Sequence, residues 1–277
     1  MRTLSISGKT KVPVLGQGTW YMGDHAARRA DEIRALQAGI DLGMTLIDTA
    51  EMYGNGKSES LVGEAITGRR DAVFLVSKVL PSNASRQGTK NACERSLKRL
   101  KTDVIDLYLL HWQGSYPFED TVAAMQDLIA EGKIRHWGVS NMDVAEMDEF
   151  FSIPKGNTCA MNQILYNLSR RGVEFDLLPW CEQRKVRVMA YSPVEQGRIL
   201  SNKALAQVAK RHDATPAQIA LAWVLRRPGV IAIPKAGTEA HVRENAGCLS
   251  IELTAQDHTE LDAAFPPPTR KKHLEML

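Results

Sequence analysis

Short apolar runs alternate with amphipathic stretches along almost the whole chain. Residues 3–14 read as a β-hairpin turning at Ser7-Gly8-Lys9. Eight strand–helix repeats follow. The predicted strands cover 15–19, 45–49, 73–78, 104–111, 134–140, 160–163, 186–191 and 230–234. The helices between and after them cover 28–42, 58–67, 85–99, 118–131, 144–151, 174–184, 203–211 and 241–248. Two more helices are expected. One runs over 216–226, started by a capping Thr215, Pro216 at the first helical position and Gln218 three residues on, and stopped by Pro228-Gly229. The other runs over 255–264, after which Pro266-Pro267-Pro268 ends regular structure and leaves an extended tail. Eight βα repeats argue for an α/β protein, a closed (β/α)8 TIM barrel with an N-terminal β-hairpin and extra helices. An open doubly wound sheet is the competing arrangement. No linker or low-complexity segment interrupts the pattern, so one domain over 1–277 is expected.

Composition narrows the function classes. Hydrophobic residues make up 44% of the chain, enough for a substantial core. The net charge is +3, from 35 basic and 32 acidic residues, with no long run of one sign, which speaks against nucleic acid as a partner. Arg270-Lys271-Lys272, the densest basic cluster, reads as a solvated tail. Cys93, Cys159, Cys181 and Cys248 form no C-x-x-C pair and are expected as reduced thiols. The histidines form no H-x-H or H-E-x-x-H, so no metal is expected. No signal-peptide region and no apolar stretch near the roughly 18 residues of a membrane span are present, and a soluble cytoplasmic protein is expected.

The candidate chemistry lies at strand ends. Asp48, Lys78 and His111 each close a predicted strand, and Tyr53 follows Asp48 in the next loop. A parallel barrel would gather all of them at one mouth. Tyrosine is a poor acid at neutral pH, with an ordinary pKa of about 10, and a nearby ammonium such as Lys78 lowers it. Asp48 would hold Lys78, His111 would donate to a carbonyl oxygen, and Tyr53 would give that oxygen its proton. Singly, each has a plainer reading: a turn-forming Asp, a solvated Lys, a structural His. Gly16-Gln17-Gly18 begins like a dinucleotide fingerprint, but Tyr21 stands at the third glycine, so these glycines read as a tight exit from the first strand.

Several segments, in order, resemble the aldo-keto reductase family: 46–54 (Leu-Ile-Asp-Thr-Ala-Glu-Met-Tyr-Gly), Ser77-Lys78, 106–112, 132–141, Asn162-Gln163, 190–193 and Ile233-Pro234-Lys235. The resemblance covers nearly the whole chain and is strongest to bacterial reductases of the methylglyoxal-reducing kind. It implies a (β/α)8 barrel that reduces aldehydes or ketones with NAD(P)H, with Asp48, Tyr53, Lys78 and His111 catalytic. It implies a cofactor bed of Gly18, Thr19, Trp20, Asp48, Ser140, Asn141, Gln163, Tyr191, Ser192 and Pro193. The nicotinamide amide would fall to Ser140, Asn141 and Gln163, and its ring to Tyr191. Lys235, Thr238, His241, Glu244 and Asn245 would take the adenosine end. His241 stands where NADPH-preferring members commonly carry Arg, and Ala236 where Ser is common. Arg243 is turned from His241's helical face. NADPH is the expected cofactor and NADH the alternative. A substrate pocket of Trp20, Tyr21, Met52, Tyr53, Leu80, His111 and Trp112 is expected to take small carbonyl compounds. The short stretch after Ser192 implies a reduced flap, and the short tail after Phe265 a compact, open site; a monomer is expected. A regulatory barrel without turnover and an unrelated barrel hydrolase are the competing functions.

Overall fold

The hairpin forms as the alternation predicts: β1 (Thr3–Ile6) pairs antiparallel with β2 (Thr10–Pro13), with Leu4 opposite Val12. The structure, a computed structural model, describes residues 1–8 and 10–277, so Lys9 of the predicted turn lies outside the described residues. Eight parallel strands follow in chain order: β3 (Gln17–Gly18), β4 (Leu46–Asp48), β5 (Phe74–Val79), β6 (Ile105–Leu110), β7 (Ile134–Ser140), β8 (Met161–Leu165), β9 (Arg187–Tyr191) and β10 (Val230–Ala232). Gly16 N donates to Ala232 O (2.8 Å) and Gly18 N to Pro234 O (3.0 Å), which joins the last strand to the first and closes the ring. Around it lie α1 (Arg29–Asp41), α2 (Lys57–Ala65), α3 (Arg86–Leu100), α4 (Phe118–Ala130), α5 (Val144–Ser152), α6 (Leu177–Gln183), α7 (Lys203–Arg211), α8 (Pro216–Val224), α9 (Glu239–Ala246) and α10 (Ala255–Ala264).

Alternation along the strands builds two cores. Leu46, Val76, Leu107, Leu109, Met161, Met189, Ile231 and Ile233 point inward, and the other side chains of the same strands pack outward against the helices. Ile6 and Val12 of the hairpin join the inward cluster. The hairpin sits at the strand starts, held by Thr10 Oγ1 against His136 Nε2 (3.0 Å) and by Arg187 Nε donating to Ser5 O (2.8 Å). It therefore plugs one end of the barrel and leaves the C-terminal mouth for chemistry.

Three departures from the predicted elements have physical reasons. The first strand is shorter than 15–19, because its glycines serve close approach of backbones. A Cβ on Gly16 would lie 2.7 Å from Leu46 Cδ2, and one on Gly18 2.7 Å from Ile233 O. The helix expected over 174–184 begins at Leu177, with Pro179 in its first turn, where the missing N–H is harmless. The helix expected over 241–248 begins at Glu239, because Thr238 Oγ1 accepts from His241 N (3.3 Å) and caps it. Thr215 and Gln218 form the expected capping box.

Candidate active site

The inward register carries the chemistry to the mouth. Asp48 follows Leu46 by two residues, Lys78 follows Val76, His111 follows Leu109, Gln163 follows Met161, Tyr191 follows Met189, and Lys235 follows Ile233. Where each apolar interior column ends, a polar side chain continues it. Backbone pairing levels the strand ends: Ser140 is registered with Gln163, and Asn141 N donates to Gln163 O (2.9 Å).

Lys78 is wholly buried and uses three donor contacts inside the protein. Its Nζ donates to Asp48 Oδ2 (2.9 Å), to Thr49 O (2.9 Å) and to Tyr53 Oη (3.0 Å). The other Asp48 oxygen accepts from Gln163 Nε2 (2.7 Å). His111 meets Tyr53 edge-on, with ring centroids 5.8 Å apart, and leans on Trp112. Burial, reinforced by the Lys78 charge, pulls His111 down to about 2, so its imidazole is neutral. Its Nδ1 is sealed from solvent without a partner among the described residues. Nε2, the other ring nitrogen, is the one that can donate into the cavity when it carries the proton.

Burial alone would lower Lys78, but Asp48 and Tyr53 outweigh it and hold the ammonium above its ordinary value. Burial lifts Asp48 above the usual carboxylate value, with Lys78 and Gln163 pulling the other way. Tyr53 departs from expectation. Burial raises it above an ordinary phenol, and Lys78 offsets only part of that rise. The sequence shows the neighbouring charge but not the depth of burial. The result is a phenol that keeps its proton until negative charge develops beside it.

Two adjoining cavities open at this mouth. A cleft of about 390 Å³ runs from Asp48, Tyr53 and Tyr191 past Gly18, Thr19, Trp20, Ser192 and Pro193 to Lys235. A second cavity of about 250 Å³ is walled by Trp20, Met52, Tyr53, His111, Trp112, Ser140, Asn141, Gln163 and Tyr191. Tyr191 lies between them, its hydroxyl donating to Asn141 Oδ1 (3.0 Å). Tyr21 stacks on Trp20 at 4.4 Å and lines the first cleft, not the pocket assigned to it from sequence. Leu80 lines neither cavity; its N–H is tied to Glu51 Oε1 (2.8 Å).

Beyond Lys235, Thr238 and His241 are exposed on the first turn of α9, and Arg243 turns back toward Glu239 at 3.9 Å. Glu244 is half-buried, and Asn245 is buried. The loop after Ser192 is short but not absent from the site, since Val194, Gln196 and Gly197 also line the cleft. Met276 and Leu277 of the short tail also wall the second cavity, a contribution not foreseen from the sequence. Only the apolar pair itself, after a charged stretch, marked them in the sequence. Lys271 of the basic cluster is exposed as expected yet anchored, 2.8 Å from Asp176.

Fold and site together define a class: a (β/α)8 barrel oxidoreductase with its polar centre at the C-terminal mouth. A model of the aldo/keto reductase family matches residues 14–265, and the chain belongs to that family. It is 55% identical to the methylglyoxal reductase YeaE of Escherichia coli K12, over 100% of this chain and 99% of that protein. It is 32% identical to the glyoxal reductase of Bacillus subtilis 168, over 94% of this chain and 92% of the other. The crystal structure of a Klebsiella pneumoniae aldo-keto reductase in complex with NADPH superposes with a TM-score of 0.98 at 50% identity, over 100% and 99% of the chains. Among the described residues no helix is long and apolar enough to cross a membrane, and no group of His, Cys, Asp and Glu is placed to hold a metal ion. The four cysteines are buried and free.

Proposed function

We propose that this chain reduces small aldehydes and ketones to alcohols with NADPH, with Tyr53 as the proton donor. The observation that carries this is the buried relay in which Lys78 Nζ bridges Asp48 (2.9 Å) and the Tyr53 hydroxyl (3.0 Å). The residues present fit a nicotinamide cofactor. Ser140, Asn141 and Gln163 bring hydroxyl and amide groups to one wall, suited to a primary amide, and Tyr191 offers a ring face beside them. Lys235 and the capped start of α9 suit an anionic group at the far end of the cleft. When bound, the cofactor supplies hydride. The chain's own residues do the rest. His111 donates a hydrogen bond to the carbonyl oxygen and orients it. Tyr53 hands over its proton as charge builds on that oxygen, and Lys78 stabilises the phenolate left behind. Asp48 keeps Lys78 in place and charged. Trp20, Met52 and Trp112, with Met276 and Leu277, shape a small, largely apolar pocket. The reductases of methylglyoxal and glyoxal among its relatives support dicarbonyls as the substrates to try first.

The test follows oxidation of NADPH by methylglyoxal, with NADH in parallel. Wild-type protein should turn over, and Tyr53→Phe should lose about 10²–10⁴-fold in rate while still binding NADPH. Wild-type rates in Tyr53→Phe would remove Tyr53 from the mechanism.

A further inference from the structure

Glu195 anchors a charge cluster just outside both cavities. It is buried, with a left-handed φ of 50°, a conformation that surrounding contacts must hold. Its Oε1 accepts from Arg170 Nη2 (3.0 Å) and from Arg198 Nη2 (2.9 Å), and its Oε2 accepts from Asn167 Nδ2 (2.7 Å). Asn167 Nδ2 also donates to Ser192 O (2.9 Å). The neighbours of Glu195 on either side line the cofactor cleft. Arg170 also faces the other way, its Nη1 donating to Glu275 Oε1 (2.6 Å). The next two residues, Met276 and Leu277, wall the substrate cavity. One guanidinium thus holds a loop 25 residues away in sequence and a tail segment 105 residues away. A planar fork can grip two carboxylates at once in fixed geometry, which a lysine cannot do.

We propose that Arg170 is a positioning residue that ties the cofactor-facing loop 192–197 to the tail wall of the substrate cavity, so that one ion cluster sets both cavities. This rests on the reductase reading above. The Arg170–Glu275 pair is partly exposed, so its effect is modest and salt-sensitive. Glu275→Gln keeps the shape and removes the charge. It should raise KM for methylglyoxal at saturating NADPH about threefold with little change in kcat. Arg170→Gln should raise that KM similarly and also weaken NADPH binding about tenfold. Adding Glu275→Gln to Arg170→Gln should then do nothing more. Because methylglyoxal is neutral, its KM should rise with salt in the wild type and stay flat in Glu275→Gln, a readout that mere structural support would not move. Should Arg170→Gln fail to fold, Arg170→Lys replaces it, with the same direction of effects expected. Additive effects of the two changes, or a cofactor affinity untouched by any Arg170 variant, would overturn the coupling. A wild-type protein that neither binds NADPH nor turns over would instead overturn the reading beneath it.

Discussion

Lys78 illustrates how one buried charge ties the geometry of the barrel mouth to its stability. Its ammonium is sealed in the barrel and meets Asp48, Thr49 O and Tyr53 Oη, so its three donors find acceptors within the protein. Lys78→Met would leave the Asp48 carboxylate buried beside Gln163 with no counterion. Burial already raises Asp48, and loss of Lys78 removes the main opposing effect. The folded pKa then lies further above the unfolded value of about 4. A penalty of this sign is absent below the unfolded pKa and grows as pH rises toward the folded one. Chemical denaturation should therefore show Lys78→Met destabilised by about 3–5 kcal/mol at neutral to alkaline pH and clearly less in mild acid, where Asp48 takes a proton. An equal loss at both pH values would show that the carboxylate does not depend on Lys78. The same substitution should slow turnover, because nothing would then offset the burial that raises Tyr53. The charge partner was legible in the sequence; the strength of desolvation was not, since it depends on what the whole barrel packs over the pair.

Helix ends show the same division between local and distant information. The Thr215 and Gln218 capping box needs only four adjacent residues, and it was readable. The start of α10 looked no more than ordinary, yet Asp257 there does more than cap. Its Oδ2 accepts from Thr254 N (2.8 Å), and its Oδ1 accepts from Arg211 Nη2 (2.7 Å) at the end of α7. His212 Nε2 lies 2.8 Å from Oδ2. Burial would raise this carboxyl, but His212, Arg211 and Thr254 hold it well below the usual range. A depressed folded pKa stabilises above the unfolded value and is lost as pH falls toward the folded one. Asp257→Asn is thus expected to cost about 2 kcal/mol at neutral pH, read as a lower melting temperature, with the gap to wild type closing in strong acid. A gap independent of pH would mean that shape, not charge, joins α7 to α10. Nothing in the spacing of residues 211 and 257 announces the contact, because helix periodicity carries no information on which helices neighbour one another.

At the scale of the whole molecule, the barrel made the central site readable and left its margins obscure. Period-two alternation continues the inward columns into Asp48, Lys78, His111, Gln163, Tyr191 and Lys235; the strand ends alone pointed to the first three, while the last three were marked only by the family resemblance. Met276 and Leu277 belong to no periodic element, and their place in the cavity follows from tertiary ties of the tail, among them those of Lys271, Leu274 and Glu275. The outer end of the cleft lies between these cases. Lys235 ends an interior column, while Thr238 and His241 sit on the exposed first turn of α9, where helix N–H groups and a lysine favour an anion. If this turn receives the 2′-phosphate of NADPH, the imidazole of His241 offers it less than a guanidinium would, whose fork is always charged and can grip two oxygens. His241→Arg should then tighten NADPH about tenfold, the worth of one charge-assisted pair, and leave NADH, which lacks that phosphate, nearly unchanged. Lys235→Ala should shift the ratio the opposite way. Fluorescence titration of both cofactors against each variant measures it. An equal change for NADPH and NADH would place the 2′-phosphate elsewhere, and Arg243, turned back toward Glu239, would be no substitute for it.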